Sequence, residues 1–228
     1  MNTERNGGRE AVVFVCAHPD DLCGCAGLAF RLADLGKFDL HVIDFTHGER
    51  GLGEAACRDG SCKATRIKEE EAACAMLGAH LHWLDEIDGD AYARPETCAK
   101  LAALLSEIRP RAAIVHWPID CHADHSMSAA AFQLAMQLSR VFPEVYFMEQ
   151  IHQSRNFHAD RYVDITTTAK RKYALLSLYV CQNGDKIADE RRIAEIYHGR
   201  KIGVDFAEAY GDWPLTMAPG RCLLDEII

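Results

Sequence analysis

The chain has 228 residues, of which 49% are hydrophobic, and its formal net charge is −9 at pH 7. This length suits one sizeable domain with a full core. No apolar run approaches the ~20 residues of a membrane-spanning helix, and the acidic excess argues against binding to nucleic acid or to an anionic membrane.

The first ten residues are polar and lack the apolar segment of a secretory signal. We therefore expect a disordered tail over residues 1–10 and a single domain over residues 11–228. Ten cysteines in a chain of this size, without an export signal, predict free thiols and a cytoplasmic protein. The composition does not determine the oligomeric state, and a homo-oligomer is one of the options.

Predicted strands alternate with predicted helices along the first 150 residues. Apolar, β-branched runs indicate strands at 11–16, 40–44, 81–84, 112–116 and 145–148, and helical patterns occupy 24–35, 66–77, 97–108 and 126–138. The last third is less regular, with a strand at 162–164 and helices near 167–178 and 189–199. This alternation predicts an α/β fold, a Rossmann-like three-layer sandwich with a mostly parallel central sheet. His41 and His80 lie at strand starts, and we interpret them as packing or surface residues.

Polar side chains follow the first strand at once, in the sequence Ala17-His18-Pro19-Asp20-Asp21. Pro19 lacks a backbone N–H and biases His18 toward an extended conformation, so the strand cannot simply continue. One imidazole and two carboxylates therefore lie at the carboxyl end of a strand, where open α/β sheets bind ligands. Helix capping by an aspartate is the alternative interpretation of this turn.

A second polar cluster, Asp120-Cys-His122-Ala-Asp124-His125, follows the fourth strand. A Rossmann-type strand order makes strands one and four neighbours, so both clusters should converge on one crevice, which capping does not explain. Two imidazoles and a carboxylate form a good three-ligand site for Zn²⁺, and ferrous iron accepts the same ligands. An additional carboxylate and imidazole are the base and the oxyanion-stabilising group that hydrolysis needs. The first turn lacks the G-x-G-x-x-G of a dinucleotide site.

These motifs, together with Thr46-x-Gly48-Glu49-x-Gly51 and Arg66-x-x-Glu69, resemble the PIG-L/LmbE-like family of N-acetylglucosaminyl deacetylases. The resemblance runs from about residue 11 to 138 and continues weakly to residue 210. It implies a zinc-dependent hydrolase that removes an acyl group, usually acetyl, from the nitrogen of an amino sugar. The expected partner is accordingly a small N-acyl amino sugar or glycoconjugate.

By position, the resemblance makes His18, Asp21 and His125 the metal ligands. Asp20 corresponds to the general base, and His122 to the residue that holds the oxyanion and is one candidate to protonate the departing amine, Asp20 being the other. Arg66 and Asp88 fall where the family places groups that bind sugar hydroxyls. Arg66 has an alternative on its own helix, an ion pair with Glu69 or Glu70.

The chain departs from the family pattern after the two aspartates. The family usually places a glutamate there, whereas Leu22 and Cys23 follow Asp21 directly. The missing glutamate bears on the hydrogen bonds that orient the metal ligands and on the preference for an acyl sugar. The alternatives are a metal-dependent amidase for another amide, a ferrous-iron oxygenase, and an inactive sugar-binding relative, which loss of Asp20 or His122 would indicate.

Overall fold

A computed structural model describes residues 8–213 and 222–227. Within these ranges the chain forms seven strands: β1 (Glu10–Cys16), β2 (Phe38–Thr46), β3 (His80–Glu86), β4 (Ala112–His116), β5 (Glu144–Met148), β6 (Arg161–Asp164) and β7 (Ala207–Asp212). It also forms seven α-helices: α1 (Ala26–Leu35), α2 (Glu54–Arg58), α3 (Ser61–Leu77), α4 (Pro95–Ile108), α5 (Ala123–Ser139), α6 (Ala169–Leu176) and α7 (Gly184–Ile202).

All seven strands belong to one sheet, in the order β3-β2-β1-β4-β5-β7-β6. Strands β1 to β5 are parallel to one another, whereas β7 pairs antiparallel with both β5 and β6. Strands β1 and β4 are direct neighbours, and the strand order reverses between them. The carboxyl ends of β1 and β4 therefore border the crevice in which α/β sheets bind ligands.

Helices cover both faces of the sheet, which confirms the predicted three-layer α/β sandwich. One buried core joins the sheet to α1, α3, α6 and α7. A second core joins the opposite face to α4 and α5. The parallel strands β1 and β4 are buried on both faces, which explains their continuous apolar sequences.

The structure differs from the predicted elements in several places. Helices α3 and α7 each begin five residues before their predicted starts. The loop after β2 contains the short helix α2, and residues 207–212, which the sequence pattern left irregular, form β7. Of the predicted tail, residues 1–7 lie outside the described part of the chain, and β1 already begins at Glu10. No helix in the described ranges is long and apolar enough to cross a membrane. The ten cysteines, all of them within those ranges, carry free thiols.

Candidate active site

The turn after β1 is closed by the side chain of Asp21. Its Oδ2 atom accepts the backbone N–H groups of Ala17 (2.9 Å) and His18 (2.8 Å). The short 3-10 helix Asp21–Gly24 follows and leads into α1. Asp20 precedes it with φ of 99°, in the left-handed region that aspartate occupies at some cost in energy. The turn therefore places His18, Asp20 and Asp21 at the end of the strand by local hydrogen bonds.

The second cluster reaches the same place from the start of α5. His122 precedes the helix, and His125 lies in its first turn. His125 Nε2 lies 3.4 Å from Asp21 Oδ1, and His18 Nδ1 lies 3.5 Å from Asp21 Oδ2. The structure thus brings the three predicted ligands together, with Asp21 between the two imidazoles.

Each of these two imidazoles turns its other nitrogen toward a carboxylate. His18 Nε2 lies 3.0 Å from Asp124 Oδ2, and His125 Nδ1 lies 3.2 Å from Asp120 Oδ1. Histidines that bind metals commonly use their second nitrogen in this way, which fixes the tautomer and the ring orientation. Asp120 and Asp124 stand in the predicted motif, but the sequence did not show what they contact.

His116 is a residue of the site that sequence reasoning missed. It ends β4, is fully buried, and its Nε2 lies 3.0 Å from Asp21 Oδ2. The signal was its position as the last strand residue before the second cluster. Among the described residues, three overlapping sets of donor atoms are close enough to hold a metal ion: His18, His122 and His125; Asp21, His116 and His125; and His18, Asp88, His122 and Asp124. The predicted trio is none of these sets by itself, although His18 and His125 share the first set and Asp21 and His125 share the second.

The electrostatics of the site favour positive charge. Burial alone would lower the pKa of His18, but the carboxylates of Asp124, Asp21 and Asp88 hold it well above its ordinary value. Burial likewise opposes the charge on His125, and Asp21 and Asp120 nevertheless raise its pKa to about 9. Surroundings that retain protons on imidazoles are also suited to a cation that replaces those protons.

His122 differs from the other two histidines of the site. Burial, followed by repulsion from His18 and His125, lowers its pKa, so its imidazole is neutral at pH 7. Its Nδ1 is buried without a hydrogen-bond partner in the described part of the chain. His122 also lines the cavity beside the predicted ligands.

Asp20 is held by an arginine from α3. Arg66 is 4% exposed, and its Nη2 donates to Asp20 Oδ1 (2.5 Å) and to the carbonyl of Pro19. Burial raises the pKa of Asp20 to about 6, against the opposing charge of Arg66. The ion pair predicted as the alternative for Arg66, with Glu69 or Glu70, is wrong. Both acids have other partners: Glu69 accepts from Cys181 and Glu70 from Tyr179.

Two glycines of the loop after β2 make room for this arginine. A Cβ atom built on Gly51 would lie 2.5 Å from Arg66 Nη1, and one on Gly48 would overlap the same guanidinium. Gly48 also has φ of 63°. The Gly48-x-x-Gly51 spacing therefore forms a channel through which Arg66 reaches Asp20.

Asp88 also contacts other groups of the site. Its Oδ1 lies 3.4 Å from His18 Nε2, and its Oδ2 accepts the backbone N–H of Arg50 (2.9 Å). Arg66 and Asp88 both line the cavity, but their described polar contacts are made with the protein. The structure thus places both predicted sugar-binding residues at the site without showing what they bind.

A cavity of about 470 Å³ opens over these groups. One wall is formed by the turns after β1 and β4 and by the loop after β2. The other wall comes from the second half of the chain and includes Gln150, Gln153, Gln182 and Arg191. Gln150 Nε2 donates to the backbone carbonyl of Asp21 (2.9 Å), and Cys23 Sγ donates to Gln150 Oε1 (3.1 Å). Gln150 thus supports the turn after β1, in which the family's usual glutamate is missing.

Comparison with known proteins shows which family the chain resembles. The family described as GlcNAc-PI de-N-acetylase, PIG-L, matches residues 13–136, more than half of the chain. The 4-oxalmesaconate hydratase of Pseudomonas putida is 27% identical over 195 residues, 77% of this chain and 74% of the hydratase.

Two solved structures share the fold. The conserved protein TT1542 of Thermus thermophilus is 27% identical, with a TM-score of 0.76 over 92% of this chain and 99% of that one. The N,N'-diacetylchitobiose deacetylase of Pyrococcus horikoshii, solved with an inhibitor, is 21% identical, with a TM-score of 0.79 over 96% and 89% of the two chains.

Proposed function

The chain belongs to the PIG-L family, and from that premise we propose that it is a metal-dependent hydrolase that removes an acyl group, usually acetyl, from the nitrogen of an amino sugar. One observation carries the proposal. Asp20 and His122, a carboxylate and a neutral imidazole, both border the cavity beside the His18–Asp21–His125 group. This combination provides a base and a hydrogen-bond donor beside a metal position.

The residues fit a divalent metal ion. Asp21 lies between two imidazoles whose outer nitrogens face Asp120 and Asp124, and this arrangement is typical of metal-binding histidines. His18, Asp21 and His125 would hold the ion, with Zn²⁺ as our proposal and Fe²⁺ compatible with the same donors. When bound, the metal would polarise an acyl carbonyl and acidify a water molecule.

Asp20 would accept the proton of the attacking water. Arg66 holds its carboxylate by a hydrogen bond of 2.5 Å and thereby fixes the direction of its free oxygen. A positioned general base of this kind contributes about 10²–10⁴-fold to the rate. Because Arg66 engages Asp20 rather than open solvent, we assign it a positioning role in addition to the proposed contact with a sugar hydroxyl.

His122 would donate a hydrogen bond to the oxygen of the acyl group as negative charge develops there. A neutral imidazole that lines the cavity is suited to this role and to passing a proton to the departing amine. Asp88, at the edge of the cavity, would bind a sugar hydroxyl. Ten free thiols support a reducing compartment, and we propose the cytoplasm as the location of the enzyme.

A second candidate function is hydration of an unsaturated carboxylic acid. It is favoured by the similarity to 4-oxalmesaconate hydratase and by Arg50. Arg50 is exposed at the cavity edge, with no side-chain partner in the described part of the chain. A free guanidinium at this place is suited to a substrate carboxylate.

One experiment separates the two functions. The purified protein, with its metal content measured, is incubated with N-acetylglucosamine derivatives, including N,N'-diacetylchitobiose, and separately with 4-oxalmesaconate. We expect release of free amine from an N-acetyl sugar, abolished by a chelator and restored by Zn²⁺. Consumption of 4-oxalmesaconate without amine release from any sugar would replace the deacetylase proposal by the hydratase.

A further inference from the structure

A second cluster of imidazoles lies on the sheet, away from the candidate active site. His41 is in the first half of β2, and His80 and His82 are in β3, the edge strand. His41 precedes the carboxyl end of β2 at Thr46 by five residues, which is about 17 Å along a strand. None of the three lines the cavity, so the cluster is independent of the proposed function.

The strand geometry places all three imidazoles on one face. His80 and His82 are two residues apart in β3, so their side chains leave the same side of the sheet. The parallel register pairs His41 with His80 and Ile43 with His82, which puts His41 on that side as well. A His-x-His pair on one strand and a third histidine on the next thus form a triangle on the surface that carries α4.

The rings are in contact. His41 Nδ1 and His82 Nε2 are 3.0 Å apart, while their ring centres are 5.3 Å apart and their planes differ by 20°. Because the nitrogens are much closer than the centres, the two rings meet edge to edge. The His80 ring centre lies 4.9 Å from that of His41. The three rings are not among the sets of described donor atoms that already lie close enough together to hold a metal ion. His80 is exposed, so its ring can turn toward the other two without disturbing the core.

The protonation states suit metal binding. Only one proton can lie between two neutral imidazole nitrogens, and a metal ion can take the place of that proton. Burial, with the neighbouring His82 and His80, lowers the pKa of His41 to about 4. Burial also lowers the pKa of His82. Both are therefore neutral at pH 7, which is the form that binds metals.

We propose that His41, His80 and His82 form a second metal site, which takes a divalent transition-metal ion that prefers imidazole, such as Zn²⁺, Cu²⁺ or Ni²⁺. In a tetrahedral zinc site with Zn–N bonds of about 2.0–2.1 Å, ligand nitrogens lie about 3.3 Å apart. The His41–His82 pair needs to open by only a few tenths of an ångström to match. The bound ion links the edge strand β3 to β2.

Zinc titration of the metal-free full chain by calorimetry tests the site. The wild type should bind one equivalent more than His80→Gln or His82→Gln. The matched control is His158→Gln, at a side chain that is 79% exposed and distant in sequence from the cluster. It should bind as the wild type does. His125→Ala should lose a different equivalent and keep the one that depends on His80.

Two further readouts keep the test decisive. His82 is half-buried, so if His82→Gln unfolds, the exposed position in His80→Gln still reports the site. In the wild type, Zn²⁺ should shift the side-chain ¹⁵N signals of His41, His80 and His82 but not that of His158. Zinc binding that His80→Gln weakens by about tenfold or more supports the site. An unchanged number of equivalents in His80→Gln and in folded His82→Gln, or unshifted His41 and His82 signals, would overturn it.

Discussion

Replacement of Asp20 by asparagine tests whether Asp20 accepts a proton or only shapes the turn after β1. Asparagine has the same size and also tolerates a φ near 99°, so the backbone of the turn can remain. Its side-chain oxygen can still accept the hydrogen bond from Arg66 Nη2, which is 2.5 Å long in the wild type. What Asp20→Asn loses is the ability to take a proton from water at neutral pH.

The expected effect is a fall in kcat of about 10²–10⁴-fold, the usual contribution of a positioned general base. At about 1.4 kcal/mol for each factor of ten, this is roughly 3–5 kcal/mol of transition-state stabilisation. KM should change little. Metal content should stay near that of the wild type, because His18, Asp21 and His125 are untouched. The assay is amine release from an N-acetyl sugar, with metal measured on the same preparation.

Asp85→Asn provides a matched control. Asp85 also has a positive φ, 63°, but it is exposed, pairs with Lys100 and does not line the cavity. It should retain full activity. An Asp20→Asn protein that binds metal normally and still deacetylates within a few-fold of the wild type would refute the assignment. Asp20 would then only shape the turn.

Three other predictions concern the neighbours of this turn. Gly51→Ala would place a Cβ against Arg66, and we expect kcat to fall by about 10²-fold with unchanged metal content; an unchanged kcat would show that Arg66 does not position the base. His125→Ala should lose most of the bound metal and His122→Ala should retain it, as measured by elemental analysis; the reverse result would exchange their roles. Burial raises the pKa of Glu70 to about 7, so the folded chain holds a proton that the unfolded chain, with a pKa near 4.5, releases. The free energy of unfolding should therefore decrease from about pH 5 to pH 7, less steeply in Glu70→Gln; equal slopes in urea titrations would contradict this.

The sequence predicted the parallel half of the sheet because each strand there is a continuous apolar run. Residues Ala112–His116, for example, were predicted with the bounds that β4 has. Strand β7 was missed for a physical reason. Its sequence, Ala-Glu-Ala-Tyr-Gly-Asp, is poor in strand-forming residues. It forms a strand because it lies between β5 and β6 and because its buried Glu208 binds Lys172.

The candidate site was predictable where its residues are close together in sequence. The Ala17–Asp21 turn and the His122–His125 cluster were each visible as motifs, and the strand order brought them together. The contacts of Arg66 were not visible, because its partner Asp20 is 46 residues away and depends on how α3 lies against the β1 turn. Gln150 was missed for the same reason, since it reaches Asp21 from 129 residues away.

The two walls of the cavity come from different parts of the chain, and this has a consequence for how such enzymes diversify. Every residue assigned here to proton transfer or metal binding lies before residue 126, within the stretch that matches the family. The opposite wall, with Gln153, Gln182 and Arg191, lies beyond that stretch. The first segment thus carries the chemistry and the proposed sugar contacts of Arg66 and Asp88, and the later segment supplies the opposite wall. A chimera that keeps residues 8–140 and takes the remainder from a relative should keep the reaction of the first parent and change its preference among substrates.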